Sequence, residues 1–193
     1  MNGIYFRCMS VLLLAIMLSY GGQQLIEYRA EAAITGHYLD NTFTGTVHFP
    51  TYGLQCSFPV GVDNTLLVFA AEYGTIPRSV KIPESTDIIF SSVALRYTFL
   101  RLKELISLSA SVSLNNCAMH LMPSGNMSDF VIIATWENEF GTGAGIDVGV
   151  DLKWFTISVP LHAAVFFTGK PTYVYSGGLR MGMLFKKHRD VAR

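Results

Sequence analysis

Two histidine–serine pairs are the places where residue type and spacing could support nucleophilic catalysis in this chain. His162 follows Ser158 by four positions, and His120 precedes Ser124 with Asp129 close behind. Such catalysis needs a hydroxyl beside a base, and a third group must orient that base. Four residues along one strand span about 13 Å, so Ser158 and His162 cannot touch. Neither pair by itself therefore predicts an enzyme.

Other motifs that carry chemistry are missing from the sequence. It contains no CxxC, HExxH, phosphate-binding loop or dinucleotide fingerprint. The formal net charge is zero and no long run of charge occurs, which argues against nucleic-acid binding. Cys56 and Cys117 fall on opposite faces of their predicted strands, so we expect no disulfide between them. We also expect no metal site and no cofactor.

Strict alternation of apolar and polar residues marks the elements that position the ionisable groups. Residues 106–114 read I-S-L-S-A-S-V-S-L, and residues 145–154 alternate bulky apolar residues with glycine, aspartate and lysine. Successive side chains of a strand point to opposite faces, so both segments predict β-strands with one apolar face. A soluble sandwich would show the same alternation. Strand length and loop pattern must therefore decide whether the apolar face contacts membrane lipid or packs in a protein core.

The predicted strands are long, and their connections alternate between short and long. Globular strands average about 5–6 residues, whereas a tilted membrane strand needs roughly 9–11. We predict eight strands, at residues 34–49, 51–62, 65–75, 87–100, 104–118, 141–153, 155–167 and 173–186. An even strand number with tight turns at one end is typical of outer-membrane barrels. Every tight turn and both termini would then lie on the periplasmic side.

One apolar segment does not fit this count. Phe130–Trp136 reads F-V-I-I-A-T-W and resembles a ninth strand. We place it in the loop between Met119 and Phe140, as an extension beyond the membrane. A ten-stranded barrel is the competing interpretation.

The first twenty residues are typical of an export signal. The apolar run Val11–Leu18 is too short for a spanning helix, which needs about 20 residues, and matches a secretory signal core. We expect a signal peptide over residues 1–21, although Ala30–Ala32 would allow cleavage as late as residue 32. The barrel is then expected over residues 33–186, with a polar C-terminal tail at 187–193.

Aromatic residues cluster near the predicted strand ends. Trp154 and Phe155 mark one rim, and the opposite rim is marked by Phe166, Phe167, Tyr173 and Tyr175. Aromatic girdles at both interfaces are expected of membrane barrels. Ordinary β-propensity, which also favours aromatic residues, remains an alternative explanation.

The hairpin Gly141–Leu161 and the final strand Ser176–Phe185 give the chain its likeness to a known group. It resembles the small bacterial outer-membrane β-barrel superfamily, of the OmpA/OmpX-like and opacity-protein type. The resemblance implies an eight-stranded antiparallel up-and-down transmembrane barrel in contact with outer-membrane lipid. It also implies recognition of the last strand by the barrel-assembly machinery, with Arg180, Gly182 and Phe185 resembling that signal. Eight residues follow Phe185, so the signal would be internal.

In such a barrel the polar face lines the interior, which at eight strands is filled by side chains or holds one small ligand. Buried charges are costly unless they are paired. We therefore predict an interior salt-bridge network that plugs the barrel, formed by Glu72, Arg96, Asp147, Asp151, Lys153, His162 and Arg180. A proton or ion path, or a small-ligand site, remains the alternative use of these groups.

The leading hypothesis is a non-enzymatic outer-membrane barrel that stabilises the envelope or presents its loops. The second is a barrel enzyme or carrier acting on envelope lipid, with His162 or His120 as base. The third is a soluble exported lipocalin-like barrel with its apolar face turned inward around a ligand. The sequence does not identify a surface partner.

Overall fold

Eight antiparallel strands follow one another around a closed barrel. A computed structural model describes residues 25–41, 45–62, 64–77, 86–121, 135–167 and 171–188. The strands are β1 (Leu25–Asn41), β2 (Gly45–Pro59), β3 (Thr65–Ile76), β4 (Thr86–Leu102), β5 (Ile106–Leu121), β6 (Thr135–Asp151), β7 (Phe155–Phe166) and β8 (Thr172–His188). Each strand pairs with the next, and β8 pairs with β1 to close the barrel. The predicted eight-stranded antiparallel barrel is confirmed.

The register winds around the barrel and sets the tilt of the strands. A path that starts at Glu31 and follows paired residues through β2 to β8 reaches Thr172, but Glu31 itself pairs with Gly182. This stagger of ten residues in eight strands tilts each strand by about 40°. A strand of 17 residues, such as β1, then rises about 42 Å, well beyond an apolar band of about 25 Å.

The first predicted strand is wrong in its boundaries. Residues 34–49 were expected to form one strand, but they span the end of β1 and the start of β2, separated by residues 42–44 outside the described ranges. Pro50, which falls between the predicted strands 34–49 and 51–62, lies inside β2 and pairs with Gly36. The expected barrel start at residue 33 lies within β1, and β8 continues to His188, inside the expected tail.

The segment 130–136 adds no strand to the described part of the chain. Thr135 and Trp136 belong to β6, while residues 130–134 lie outside the described ranges. β5 continues to Leu121, and β6 begins at Thr135. Both strands therefore extend into the region that was expected to be a loop. No helix long and apolar enough to cross a bilayer occurs within the described ranges.

Three tight turns lie at the end of the barrel that also holds Leu25 and His188, as predicted. They connect β2 to β3, β4 to β5 and β6 to β7. Lys103 and Glu104 both have left-handed φ angles, at 49° and 57°, and the N–H of Leu105 donates to the carbonyl of Leu102. These features define a type I′ turn, which matches the twist of a hairpin.

The outer wall is apolar and exposed, whereas the inner face changes character along the barrel axis. Outward residues of β6 include Ile146, which is 52% exposed. Near the long connections the interior is filled by an apolar layer, formed by Leu39, Val47, Phe49, Ile76, Ile88, Cys117, Ala164, Phe166 and Val174. The rest of the interior is mainly polar, although Ala33, Leu66, Val68 and Leu184 are also buried there. Phe166, expected at the outer rim, instead points inward, as do Val47 and Phe49.

Candidate functional site

The lowest part of the interior, nearest the tight turns, holds a cluster of paired charges. Arg29 forms ion pairs with Glu27 and, at 2.9 Å, with Asp151. Its guanidinium also donates to the hydroxyl of Thr156 at 3.1 Å, and Thr156 donates to Asp151 at 2.9 Å. Arg101 reaches the second oxygen of Glu27 at 3.0 Å. This cluster joins β1, β4, β6 and β7 across the barrel.

A ring of alternating charge crosses the middle of the barrel. Arg180 donates to one oxygen of Asp147 at 2.7 Å, and Nε of Arg96 lies 3.3 Å from the other oxygen. Arg96 also lies 3.7 Å from Glu31, which accepts a hydrogen bond from Gln55 at 2.7 Å. Around the barrel, the charge alternates in sign from Glu31 on β1 to Arg96 on β4, Asp147 on β6 and Arg180 on β8. The ring therefore balances its own charge, as buried ions require.

His37 and Glu72 form a third group beneath the apolar layer. Nε2 of His37 lies 2.8 Å from the hydroxyl of Thr51 and 3.1 Å from a carboxylate oxygen of Glu72. The imidazole is stacked against both Phe49 and Phe90, with ring centroids 5.4 Å and 4.7 Å away, and those two rings are 6.2 Å apart. The His37 ring thus sits at the boundary between the polar interior and the apolar layer.

His162 points into the interior but pairs with a different serine from the one considered in the sequence. Its Nε2 lies 2.9 Å from the hydroxyl of Ser113, which also accepts a hydrogen bond from Asn115 at 3.0 Å. Ser158 is buried elsewhere on β7. Among the described residues no carboxylate is hydrogen-bonded to His162.

His120 does not line the interior. Its ring stacks on Trp136 at 5.0 Å, at the end of the barrel that carries the long connections. Ser124 and Asp129, the residues that would complete its catalytic group, lie outside the described ranges.

A small cavity lies between the charge ring and the apolar layer. Its volume is about 90 Å³, which is enough for a few water molecules. Arg96, Asp147 and Arg180 line its lower side, and Phe90, Phe166 and Val174 line its upper side. The cavity is too small for a drug-sized ligand, which needs about 300 Å³ or more.

Six of the seven residues expected in the network lie in the interior, and Lys153 does not. Glu72, Arg96, Asp147, Asp151, His162 and Arg180 all face inward, as the preceding contacts describe. β6 ends at Asp151, so Lys153 falls in the turn before β7, where it is exposed. No group of His, Cys, Asp and Glu residues within the described ranges could hold a metal ion.

Several interior residues were missed by the sequence analysis, each for an identifiable reason. Glu27, Arg29 and Glu31 occupy alternate positions in β1, a period-two signal in a segment that was instead considered for signal cleavage. Arg101 faces inward because the β4–β5 register shifts between Thr98 and Leu100. This irregularity places two successive residues outside and reverses the alternation that follows.

Apart from Phe166, the aromatic residues expected at the two interfaces lie on the outer surface at the two ends of the barrel. Trp154 and Phe155 are exposed at the tight-turn end. Phe167, Tyr173 and Tyr175 are exposed at the opposite end. Their positions correspond to the two rims of the exposed apolar wall.

Solved structures with the same architecture are similar to the chain over most of its length. The attachment invasion locus protein Ail of Yersinia pestis, solved with the heparin analogue sucrose octasulfate, aligns with a TM-score of 0.57 at 13% identity. The alignment covers 83% of this chain and 99% of Ail. Neisserial surface protein A aligns with a TM-score of 0.59 at 12% identity, covering 83% of this chain and 97% of that protein.

Sequence comparison adds no relative to this picture. No protein-family model matches the chain, and no curated protein sequence matches it. The architecture, register and apolar outer wall, together with these structural matches, show that the chain has the fold of the small eight-stranded outer-membrane β-barrels.

Proposed function

We propose that the chain is a non-enzymatic, non-conducting barrel of the bacterial outer membrane whose wall holds its long connections at the cell surface. The observation that carries this proposal is a double seal in the interior. A ring of paired charges at Arg96 and Asp147 closes the middle, and an apolar layer that includes Phe49 and Phe166 closes the end with the long connections. A water-filled path for solutes would have to break both seals.

The exposed apolar wall supports a membrane environment. Ile146 and Val148 are 52% and 48% exposed on the outer face, whereas a lipocalin-like barrel needs such residues inside. Exposed apolar area of this extent is a membrane or partner interface in natural proteins. The expected partner of this wall is therefore membrane lipid, and the resemblance to outer-membrane barrels implies the barrel-assembly machinery as a partner during biogenesis. Arg180, Gly182 and Phe185 of β8 are the residues proposed for recognition by that machinery.

We propose that the signal peptide is cleaved before Gly22 rather than after Ala32. Cleavage after Ala32 would remove Glu27, Arg29 and Glu31, and with them the ion pairs Arg29–Asp151 and Glu31–Arg96. N-terminal sequencing of the mature protein is the measurement, and a mature chain starting at residue 33 would contradict this part of the proposal.

Conductance in a planar bilayer tests the seal directly. The folded protein should show no stable conductance steps above the bare membrane, and heat-modifiable migration on a gel verifies the fold of the same sample. A variant with both Phe49→Ala and Phe166→Ala opens only one of the two seals, so it should also show no stable conductance steps while the charge ring is intact. Steady open channels in the unmodified protein would refute the proposal, as would stable solubility of the folded monomer without detergent.

A further inference from the structure

β6 extends past β7 at the end of the barrel that carries the long connections. β7 ends at Phe166, which pairs with Gly141, and beyond it the N–H of Phe167 donates to the carbonyl of Phe140. The remaining residues of β6, Thr135–Glu139, span about 17 Å and pair with β5 but with no described residue on the β7 side. We infer that this edge binds an extended peptide segment of a partner protein, in which basic residues alternate with apolar ones. The inference rests on the surface placement proposed above.

The edge presents its hydrogen-bonding groups at alternate residues. Because the carbonyl of Phe140 points toward β7, the N–H and C=O groups of Asn138 and Trp136 point the same way. Within the described ranges, no backbone group is hydrogen-bonded to them on that side. A row of unpaired backbone groups of this kind can pair with a strand from another chain, and proteins use such edges to bind extended peptides.

β5 holds the edge in the extended form that strand addition requires. Thr135–Glu139 pair in register with Cys117–Leu121 across the other side of β6. On the outer face the ring of Trp136 stacks on the imidazole of His120, with ring centroids 5.0 Å apart. The edge is therefore ordered before a peptide arrives, which lowers the conformational cost of binding.

The two faces of the edge select the side chains of the peptide. Glu137 and Glu139 lie on the inner face of β6, the face that carries Asp147 further along the strand, and neither forms an ion pair with another described residue. Side chains of an added strand lie on the same face as the residues that they oppose. The inner face therefore favours lysine or arginine in the peptide. On the outer face Trp136 and Phe140 are 47% and 68% exposed, which favours apolar residues at the alternate positions.

Charge disfavours a second copy of this chain as the occupant. Two β6 edges that paired with each other would place Glu137 and Glu139 of one copy on the same face as the same residues of the other. Like charges opposite each other across a strand pair are destabilising, whereas opposite charges attract. The acidic inner face therefore indicates a basic partner strand.

Fluorescence anisotropy with a labelled peptide tests the edge. The probe is a short peptide in which lysine alternates with valine, titrated with the protein folded in lipid nanodiscs. We expect it to bind at least about tenfold more tightly than a peptide in which glutamate replaces lysine. A lysine–valine peptide methylated on the backbone nitrogens that face β6 keeps its charge but loses hydrogen bonds. It should also bind at least about tenfold more weakly than the unmethylated probe.

Variants of the edge separate backbone pairing from charge. Asn138→Pro removes an N–H from the unpaired side of β6 and none from the β5 side, so the fold should tolerate it. It should weaken binding of the lysine–valine peptide at least about tenfold, whereas the matched control Asn138→Ala, which keeps the N–H, should bind like the parent. Glu137→Gln combined with Glu139→Gln should weaken binding by about threefold to tenfold, and Asp40→Asn, which lies outside the edge, should leave binding unchanged. Heat-modifiable migration verifies that each variant is folded.

Equal binding of the methylated and unmethylated peptides by the parent protein would overturn strand addition, and this comparison needs no variant to fold. Equal binding of the lysine and glutamate peptides would overturn the assignment of a basic partner. A dimer that Asn138→Pro abolishes would assign the edge to a second copy of the chain and also overturn the inference. Folding as a soluble monomer without lipid would refute the proposed function, whereas a membrane-embedded barrel that binds no peptide would refute only this inference.

Discussion

Asp147→Asn tests the charge ring, because Asp147 is the one carboxylate there that contacts two arginines. Its oxygens lie 2.7 Å from Nη1 of Arg180 and 3.3 Å from Nε of Arg96, and the side chain is buried. The amide of asparagine keeps the shape but removes the negative charge. Arg96 then retains Glu31 at 3.7 Å, while Arg180 loses its ion-pair partner.

Removing one partner of a buried ion pair typically costs about 3–5 kcal/mol, because the remaining charge stays desolvated. We expect Asp147→Asn to lower the free energy of unfolding by about this amount. With a urea dependence of about 2 kcal/mol per molar, the unfolding midpoint should fall by roughly 2 M. Urea titration of the protein folded in detergent or lipid vesicles, followed by tryptophan fluorescence, measures the shift.

The same amide substitution at an exposed carboxylate provides the control. Asp40→Asn should change the free energy of unfolding by less than about 0.5 kcal/mol. Adding Arg180→Met to Asp147→Asn removes the orphaned guanidinium and should restore at least about 1 kcal/mol. If Asp147→Asn is no more destabilising than Asp40→Asn, or if the double variant recovers nothing, the ring does not work as a balanced charge network.

Three other changes test separate parts of the fold. Lys103→Asn combined with Glu104→Gly should raise the free energy of unfolding by about 1–2 kcal/mol, because both positions have left-handed backbone angles that most side chains disfavour. Urea titration measures this change, and a decrease in the free energy of unfolding would contradict the type I′ turn. Ile146→Arg should cost about 2–4 kcal/mol in vesicles if this residue faces lipid near the midplane, and a cost below about 1 kcal/mol would place it elsewhere. Phe166→Ala alone should cost about 3–5 kcal/mol by leaving a cavity in the apolar layer, measured by the same titration, and a neutral result would mean that the layer repacks.

The hairpin of β6 and β7 shows why much of this fold follows from sequence. From Gly145 to Asp151 small or charged residues alternate with Ile146, Val148 and Val150, so one period-two pattern fixes strand, face and register together. Residues that face lipid must be apolar, and residues that face the narrow interior must be small or polar, so successive residues differ in type. Where both demands act along a strand, its orientation can be predicted.

The alternation fails where the interior itself becomes apolar. Val47 and Phe49 flank His48, and Phe166 precedes Phe167, so apolar residues occur on both faces near the long connections. A pattern-based argument assigns all of them to lipid, because it assumes a polar interior throughout. The contacts Ser113–His162 and Arg29–Asp151 could not be predicted from the sequence either, because contacts between residues far apart in the chain depend on the ten-residue stagger of the closed barrel.

The buried charges of the interior become paired only as the barrel closes. Among the described residues, six ion pairs join carboxylates on β1 and β6 to arginines on β1, β4 and β8, so many of these charges find partners only across the barrel. A half-assembled sheet would expose Arg96, Asp147 and Arg180 to hydrocarbon with their contacts incomplete, at a cost of several kcal/mol for each ion. Hairpins of this chain that entered a bilayer one after another would therefore be unstable intermediates. In hydrocarbon the interior charges are compensated only once the strands that carry them meet in the closed barrel.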